Sequence, residues 1–197
     1  MNAGRQEALE QRLRELLDAG DIRGAAGEAV RGYGPEIAAY LRAVLRDPAE
    51  ADEVFSRVCE KLWRGLGRFR RESSLRTWLY RIAWNTARDF EKEAVRGRTR
   101  RLRTSEVSRI AEEVLSSQPA YARSSSADAV ERLRASLDPE EQTLLTLRLH
   151  AGLSWKEVAA ILSSPDHGLD EAAVRKRFER LKLKLREMAK AAGLLGG

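Results

Sequence analysis

The chain has 197 residues, enough for one medium or two small domains, and its net charge of +6 points to a polyanionic partner. Hydrophobic residues make up 43% and charged residues 34%, which allows small cores under a heavily charged surface, and thin strand formers beside abundant Ala, Leu, Arg and Glu predict an all-α protein. Cys59 is the only cysteine, which excludes a disulfide framework or a thiolate metal site, and His150 and His167 form no metal-spaced pair.

No carboxylate pair, nucleophile with a base, glycine-rich phosphate loop or metal cluster is visible. The chain is therefore expected not to be an enzyme, and no catalytic residue, metal or cofactor is assigned. No apolar run approaches membrane-spanning length, and the N-terminal MNAGRQEALEQRLREL reads as a charged helix and not a signal peptide. These features predict a cytoplasmic protein without membrane insertion.

The first helix is expected over 6–17, with Leu9, Leu13, Leu16 and Leu17 apolar and Ala19 to Asp21 as its stop. A second covers 24–33, and Pro35 suits the first turn of a third through Leu45. Asp47 can cap the next helix, which runs to about Leu66 with Val54, Val58, Leu62 and Leu66 in one stripe. The segment 65–74 is a loop with clustered arginines. Ser74 can cap a helix over 75–95 that turns Trp78, Leu79, Ile82, Ala83 and Thr86 inward. Residues 97–128 open on an arginine run and end rich in Ser, Gln, Pro and Ala, a composition that reads as a linker. The expected organisation is two helical domains, 1–96 and 129–197, on either side of it.

Helix resumes over 129–136, and Asp138-Pro139 opens another over 140–150, with Leu144, Leu145, Leu147 and Leu149 in its core. A short apolar helix, 152–162, and a basic one, 171–190, then follow in the order of a helix-turn-helix. In the second, Val174, Phe178, Leu181, Leu185 and Met188 form one apolar stripe, and Arg175, Lys176, Arg177, Arg180, Lys182, Lys184 and Arg186 crowd the other faces. A helix that packs on one side and is cationic on the other suits a phosphate-lined groove.

The stretch WLYRIAWNTARDF, 78–90, resembles the signature of the extracytoplasmic-function (ECF) sigma factors of bacterial RNA polymerase: Trp78, Leu79, Ile82, Ala83, Asn85 and Asp89 all fall in register. The segments from Ala19 to Val54 and from Ser136 onward resemble the opening of the same family's first domain and its C-terminal helix-turn-helix. The resemblance implies a sigma factor that binds core RNA polymerase and directs promoter-specific initiation, reading −35 duplex and melting −10 DNA. It also implies an anti-sigma partner. Residues implied at the −10 element are Phe69, Arg70, Arg71, Ser73, Tyr80, Arg81, Trp84, Asn85, Arg88 and Lys92. By helical spacing Trp78 is assigned to the core, while Tyr80 and Trp84, four apart, are the candidates for exposure and base stacking; the alternative for Trp84 is packing against a neighbouring helix. In the family's register Arg175, Lys176 and Arg180 fall where major-groove contacts come from, and Arg177 and Lys182 where phosphates are held. Asp52, Glu53 and Ser56 are implied at the polymerase contact.

The chain departs from the family pattern in places. The break 163–173 is several residues longer than usual, Ala173 stands where a Thr is common, and Glu179 sits among the contact residues. On the docking helix the acidic pair is kept, but Ser56-Arg57 replaces Gln-Glu. The competing reading is a helix-turn-helix DNA-binding regulator that does not act as a polymerase subunit. It leaves the 78–89 signature and the arginine loop without a role.

Overall fold

The computed structural model describes residues 3–95, 106–116, 136–163 and 168–192. These are helices joined by turns and loops, without a strand among the described residues, and they divide into two compact units, 1–118 and 119–197.

In the first unit α1 (Ala3–Asp18) lies on α2 (Ile22–Leu45). Asp21 caps α2 by accepting from the Gly24 amide at 2.8 Å. The two helices expected over 24–33 and 35–45 are one. Pro35 lacks the amide hydrogen an interior position needs, a defect worth about 3 kcal/mol. The buried run Ala29, Val30, Tyr33, Ile37, Tyr40, Leu41 and Val44 continues across it, however, so packing outweighs the local break. Two glycines let neighbours approach: a Cβ on Gly32 would run into Leu9 of α1, and one on Gly34 would lie 3.3 Å from the Phe55 ring.

α3 (Pro48–Gly65) starts with Asp47 accepting from the Ala49 and Glu50 amides at 2.7 and 3.2 Å, as the sequence suggests. Val54, Val58, Leu62 and Leu66 are all buried. Cys59 is buried among them, and burial pushes its thiol pKa up to about 12, so it is an inert core group. A single 3₁₀ turn (Leu66–Arg68) leads to the arginine loop and α4 (Leu75–Val95), which packs on α2 and α3.

α5 (Glu106–Ser116) falls inside the stretch read as linker. Its Ala111 and Val114 are buried, with Val114 against Gly34 of α2 and Ile110 near Gly27. The apolar positions of RIAEEVL are few but recur at helical spacing, so this piece orders on the α2–α3 surface rather than by itself. The rest of the expected linker lies outside the described residues, as does the helix expected over 129–136 except for Ser136, which is in a turn.

In the second unit α6 (Pro139–Leu149) and α7 (Trp155–Leu162) each begin in a capping box, Asp138 with Glu141 and Ser154 with Glu157. α8 (Glu171–Ala191) begins at Asp170, which accepts from the Ala173 amide at 2.7 Å. The core joins Leu144, Leu147, Leu153, Val158, Ile161, Val174, Phe178 and Leu181. Leu149, expected in this core, is 63% exposed, because it is the last residue of α6 and lies past the turn that packs. Leu185 and Met188, at the far end of the α8 stripe, are half-buried.

Candidate nucleic-acid interface

The N-terminus of α4 is held by three acceptors. Ser74 Oγ accepts from the Thr77 amide at 3.0 Å, the cap the sequence suggests. The Glu10 carboxylate of α1 accepts from the Arg76 amide at 3.1 Å and the Leu75 amide at 3.4 Å. The Arg76 side chain is buried and meets Glu36 of α2 through two hydrogen bonds of 2.7 and 3.0 Å. Burial works against the guanidinium charge, but the Glu36 carboxylate outweighs it and holds the Arg76 pKa above its ordinary value.

This anchoring fixes which way α4 faces. Trp78, Arg81, Asn85, Arg88 and Lys92 recur at steps of three and four residues and share one side. Arg81, Asn85 and Lys92 are exposed, and Trp78 and Arg88 half-buried. Asp89 on the same side is paired with Lys61 at 3.4 Å, which leaves the face positive on balance. In the adjoining loop Phe69 packs on Trp78, their ring centroids 5.0 Å apart and tilted by 36°. Arg70, Arg71 and Ser73 are exposed; Arg70 pairs with Glu72 at 3.0 Å, and Arg71 with Asp18 of α1 at 2.6 Å.

The expectation for the aromatics is corrected. Tyr80 and Trp84 do share a face, but it is the inner one: they are 2% and 4% exposed. Tyr80 stands edge-on to Tyr40 of α2, with centroids 5.5 Å apart, beneath the Arg76 guanidinium. Trp84 lies under Arg88, 5.5 Å from ring centre to guanidinium carbon. Neither can stack a base. The partly exposed aromatic on the cationic side is Trp78, and the signal for it was the 78–81–85–88–92 spacing, which sets it in line with Asn85.

On α3, Asp52 pairs with Arg42 at 3.0 Å, Glu53 pairs with Arg57 at 3.0 Å, and the Ser56 hydroxyl donates to the Asp52 carbonyl at 3.0 Å. Arg57 also reaches Glu93 of α4 at 2.7 Å and lies over the Phe90 ring. Burial again opposes its charge, and the two carboxylates raise its pKa regardless. Replacement of the family's Gln-Glu by Ser-Arg thus supplies a tie between α3 and α4.

The exposed side of α8 carries Arg175, Lys176, Arg177, Arg180 and Lys182. Arg177 and Lys184 are drawn to Glu140 and Glu141 of α6, and Lys182 pairs with Glu179 at 2.8 Å. Arg175 pairs loosely with Glu171 at 3.6 Å. Of these five, Lys176 and Arg180 have no ion pair among the described residues, so they are the most available to a ligand. The Trp155 ring has two guanidinium groups over it, Arg148 at 4.4 Å and Arg175 at 5.9 Å, and meets Phe178 edge-on. That support was not legible from spacing, because Arg148 and Trp155 sit on different helices. α8 begins at Glu171, as expected for the basic helix over 171–190, so the break before it ends at the Asp170 cap, and 171–173, counted with the break in the family comparison, belong to the helix. The ends of the break are joined by Ser163 Oγ, which accepts from the Leu169 amide at 2.9 Å.

Residues 29–101 match the family model for Sigma-70 region 2, a span that begins in α2 and includes all of α3 and α4. The RNA polymerase sigma-H factor of Pseudomonas aeruginosa is 31% identical over 166 residues, covering 79% of this chain and 83% of that one. The ECF RNA polymerase sigma-E factor of Escherichia coli K12 is 30% identical over 81% of this chain and 86% of its own length. This chain belongs to the ECF sigma factors. As a sigma factor the chain directs transcription initiation by RNA polymerase, and a regulator acting apart from polymerase is not favoured. The fold agrees: the sigma factor RpoE of Bartonella quintana, solved with the anti-sigma factor NepR, superposes with a TM-score of 0.62 at 18% identity, over 83% of this chain and 95% of that one. CnrH, solved with the cytosolic domain of CnrY, superposes at 0.60 with 23% identity, over 95% and 98%. The α4 face lies within the matched region 2, and α8 lies beyond it.

Proposed function

We propose that this sigma factor reads promoters with two surfaces: the α4 face with the 69–74 loop for single-stranded −10 DNA, and α8 for −35 duplex. The observation that carries the reading is the single side of α4, where Asn85, three cations and Trp78 lie in line beside an arginine-rich loop. Extruding a base costs about a few kcal/mol, and a site that holds it needs a stacking platform, a hydrogen-bonding group and phosphate contacts. Trp78 with Phe69 supplies the first, Asn85 and Ser73 the second, and Arg70, Arg71, Arg81, Arg88 and Lys92 the third.

On α8, Lys176 and Arg180 read base edges with Arg175, whose guanidinium rests against Trp155, and Arg177 and Lys182 hold phosphates. Asp52, Glu53 and Ser56 of α3 meet core polymerase. The residues 1–96 form the polymerase- and −10-binding domain and 129–197 the −35 domain, with α5 fastened to the first. The protein works in the cytoplasm, without a catalytic residue of its own, and is held by an anti-sigma factor, as RpoE of Bartonella quintana is bound by NepR in its solved complex. No helix of the described residues is long and apolar enough to cross a membrane.

Reconstituted transcription tests the proposal. Core polymerase with this chain is expected to initiate from a promoter selected out of a random library, and core alone is not. Asn85→Ala is expected to lose initiation on linear duplex and regain part of it on a pre-melted template. Equal loss on both templates would remove Asn85 from melting.

A further inference from the structure

The −10 surface is tied to α1, an element that carries none of the residues assigned to it. Eight residues separate Glu10 from Asp18, about 12 Å along the helix at 1.5 Å per residue. Each end holds one end of the same short segment. At one end the Asp18 carboxylate meets the Arg71 guanidinium at 2.6 Å. Arg71 has φ of 57°, the left-handed region that a non-glycine residue enters only when something holds it there. At the other end Glu10 accepts from the Arg76 and Leu75 amides, the free donors of the first turn of α4.

Glu10 is itself fixed. Tyr33 of α2 is fully buried, and its hydroxyl donates to Glu10 Oε1 at 2.8 Å. α1 in turn is seated on α2 where Gly32 leaves room for Leu9, with Leu13 buried. The segment 71–76 is therefore tied to one helix at both ends, through the Arg71 side chain at one and the Leu75 and Arg76 amides at the other, while Ser73 within it and Arg70 just before it are exposed.

We infer that α1 is a clamp for the −10 reader, with Glu10 and Asp18 as positioning residues that preorganise the 71–76 segment and the first turn of α4. The inference rests on the −10 reading proposed above. A loop held in its binding conformation loses less entropy when DNA arrives. The clamp acts on single-stranded −10 DNA and leaves the α8 duplex surface untouched.

The test uses the full chain bound to core polymerase. The probes are a fluorescent single-stranded −10 oligonucleotide from a selected promoter and a −35 duplex. Glu10→Gln, which keeps the size of the side chain but loses its charge and one acceptor, is expected to weaken the oligonucleotide about tenfold. Asp18→Asn, at an exposed position, is expected to weaken it about threefold. Both are expected to hold the duplex within about twofold. Amide exchange in the full chain separates positioning from general loosening: exchange at 71–77 is expected to speed up in Glu10→Gln while that of the α2 and α3 interiors stays as it was.

Asn85→Ala is the reference. If it loses the oligonucleotide while the Glu10 and Asp18 variants keep wild-type affinity, the clamp is wrong and the −10 reading stands. If Asn85→Ala also keeps it, the −10 reading is wrong and the clamp falls with it. Uniformly faster exchange across the first unit in Glu10→Gln, beside wild-type affinity for the oligonucleotide in Asp18→Asn, would make Glu10 a fold residue and overturn the inference.

Discussion

Trp78 and Trp84 stand six residues apart on one helix, and the structure gives them opposite roles. Trp84 is 4% exposed and its removal empties a core site, which costs about 3–5 kcal/mol. At about 4 °C per kcal/mol for a unit of this size, Trp84→Ala lowers Tm by about 12–20 °C. Trp78 is half-buried and rests on Phe69, so Trp78→Ala loses a ring pair worth about 0.5–1.5 kcal/mol and part of its buried area. Loss of the ring pair alone lowers its Tm by about 2–6 °C on the same scale. The order reverses on DNA. A stacking platform for one base is worth about 1–3 kcal/mol, so Trp78→Ala weakens a single-stranded −10 oligonucleotide by roughly 5- to 150-fold. Trp84→Ala, measured below its own Tm, binds within about threefold of wild type. Thermal unfolding by circular dichroism and fluorescence anisotropy of the holoenzyme with the oligonucleotide read the two scales. An intact Tm with lost binding in Trp84→Ala, beside normal binding in Trp78→Ala, would refute the assignment of faces.

Arg180→Ala is expected to cost about 1–3 kcal/mol on a matched −35 duplex and less on random duplex, while Arg177→Ala, drawn to Glu140, weakens both about equally; competition binding at fixed salt measures the difference. Arg76→Leu leaves Glu36 with no cation in a half-buried position and is expected to destabilise the first unit by about 3–5 kcal/mol, read by urea unfolding; a cost below about 1 kcal/mol would show that the pair is dispensable. Burial, reinforced by Glu50, raises the Glu91 pKa in the folded state, so the native protein binds this proton more tightly than the unfolded chain. That contribution to stability is therefore present at low pH and is lost as pH rises from the unfolded carboxylate value through the folded one. Glu91→Gln is expected to flatten stability against pH in that window and to raise it slightly at neutral pH.

Much of the first unit was legible in the sequence because its apolar stripes are regular and its caps explicit. Asp47 and Ser74 each cap the helix that local chemistry assigns to them, as Asp138 does in the second unit. The errors came where tertiary packing overrode a local rule. Pro35 is a helix starter by local preference, yet α2 runs through it because the buried face does not pause. Residues 106–116 have too little apolar surface to fold alone, and their partner surface on α2 and α3 lies in another part of the sequence. At the site, the cations, Asn85 and the loop were visible as residue types in register. The sense in which α4 faces was not, since Trp78 on one side and the Tyr80–Trp84 pair on another are all aromatic and equally able to fill core by residue type. The Glu10–Tyr33–Arg76 contacts that settle it join positions 10, 33 and 76, and no local pattern announces them. The ties from α8 to Glu140 and Glu141 are equally remote in sequence.

Permanganate probing of unpaired thymines in the holoenzyme–promoter complex tests the central claim most directly. Wild-type protein is expected to expose reactive thymines across the −10 element. Combined replacement of Arg81 and Asn85 by Ala is expected to abolish that reactivity while nuclease protection over −35, held by α8, persists. A double variant that opened the −10 element normally, or that lost −35 protection along with opening, would contradict the division of labour between α4 and α8.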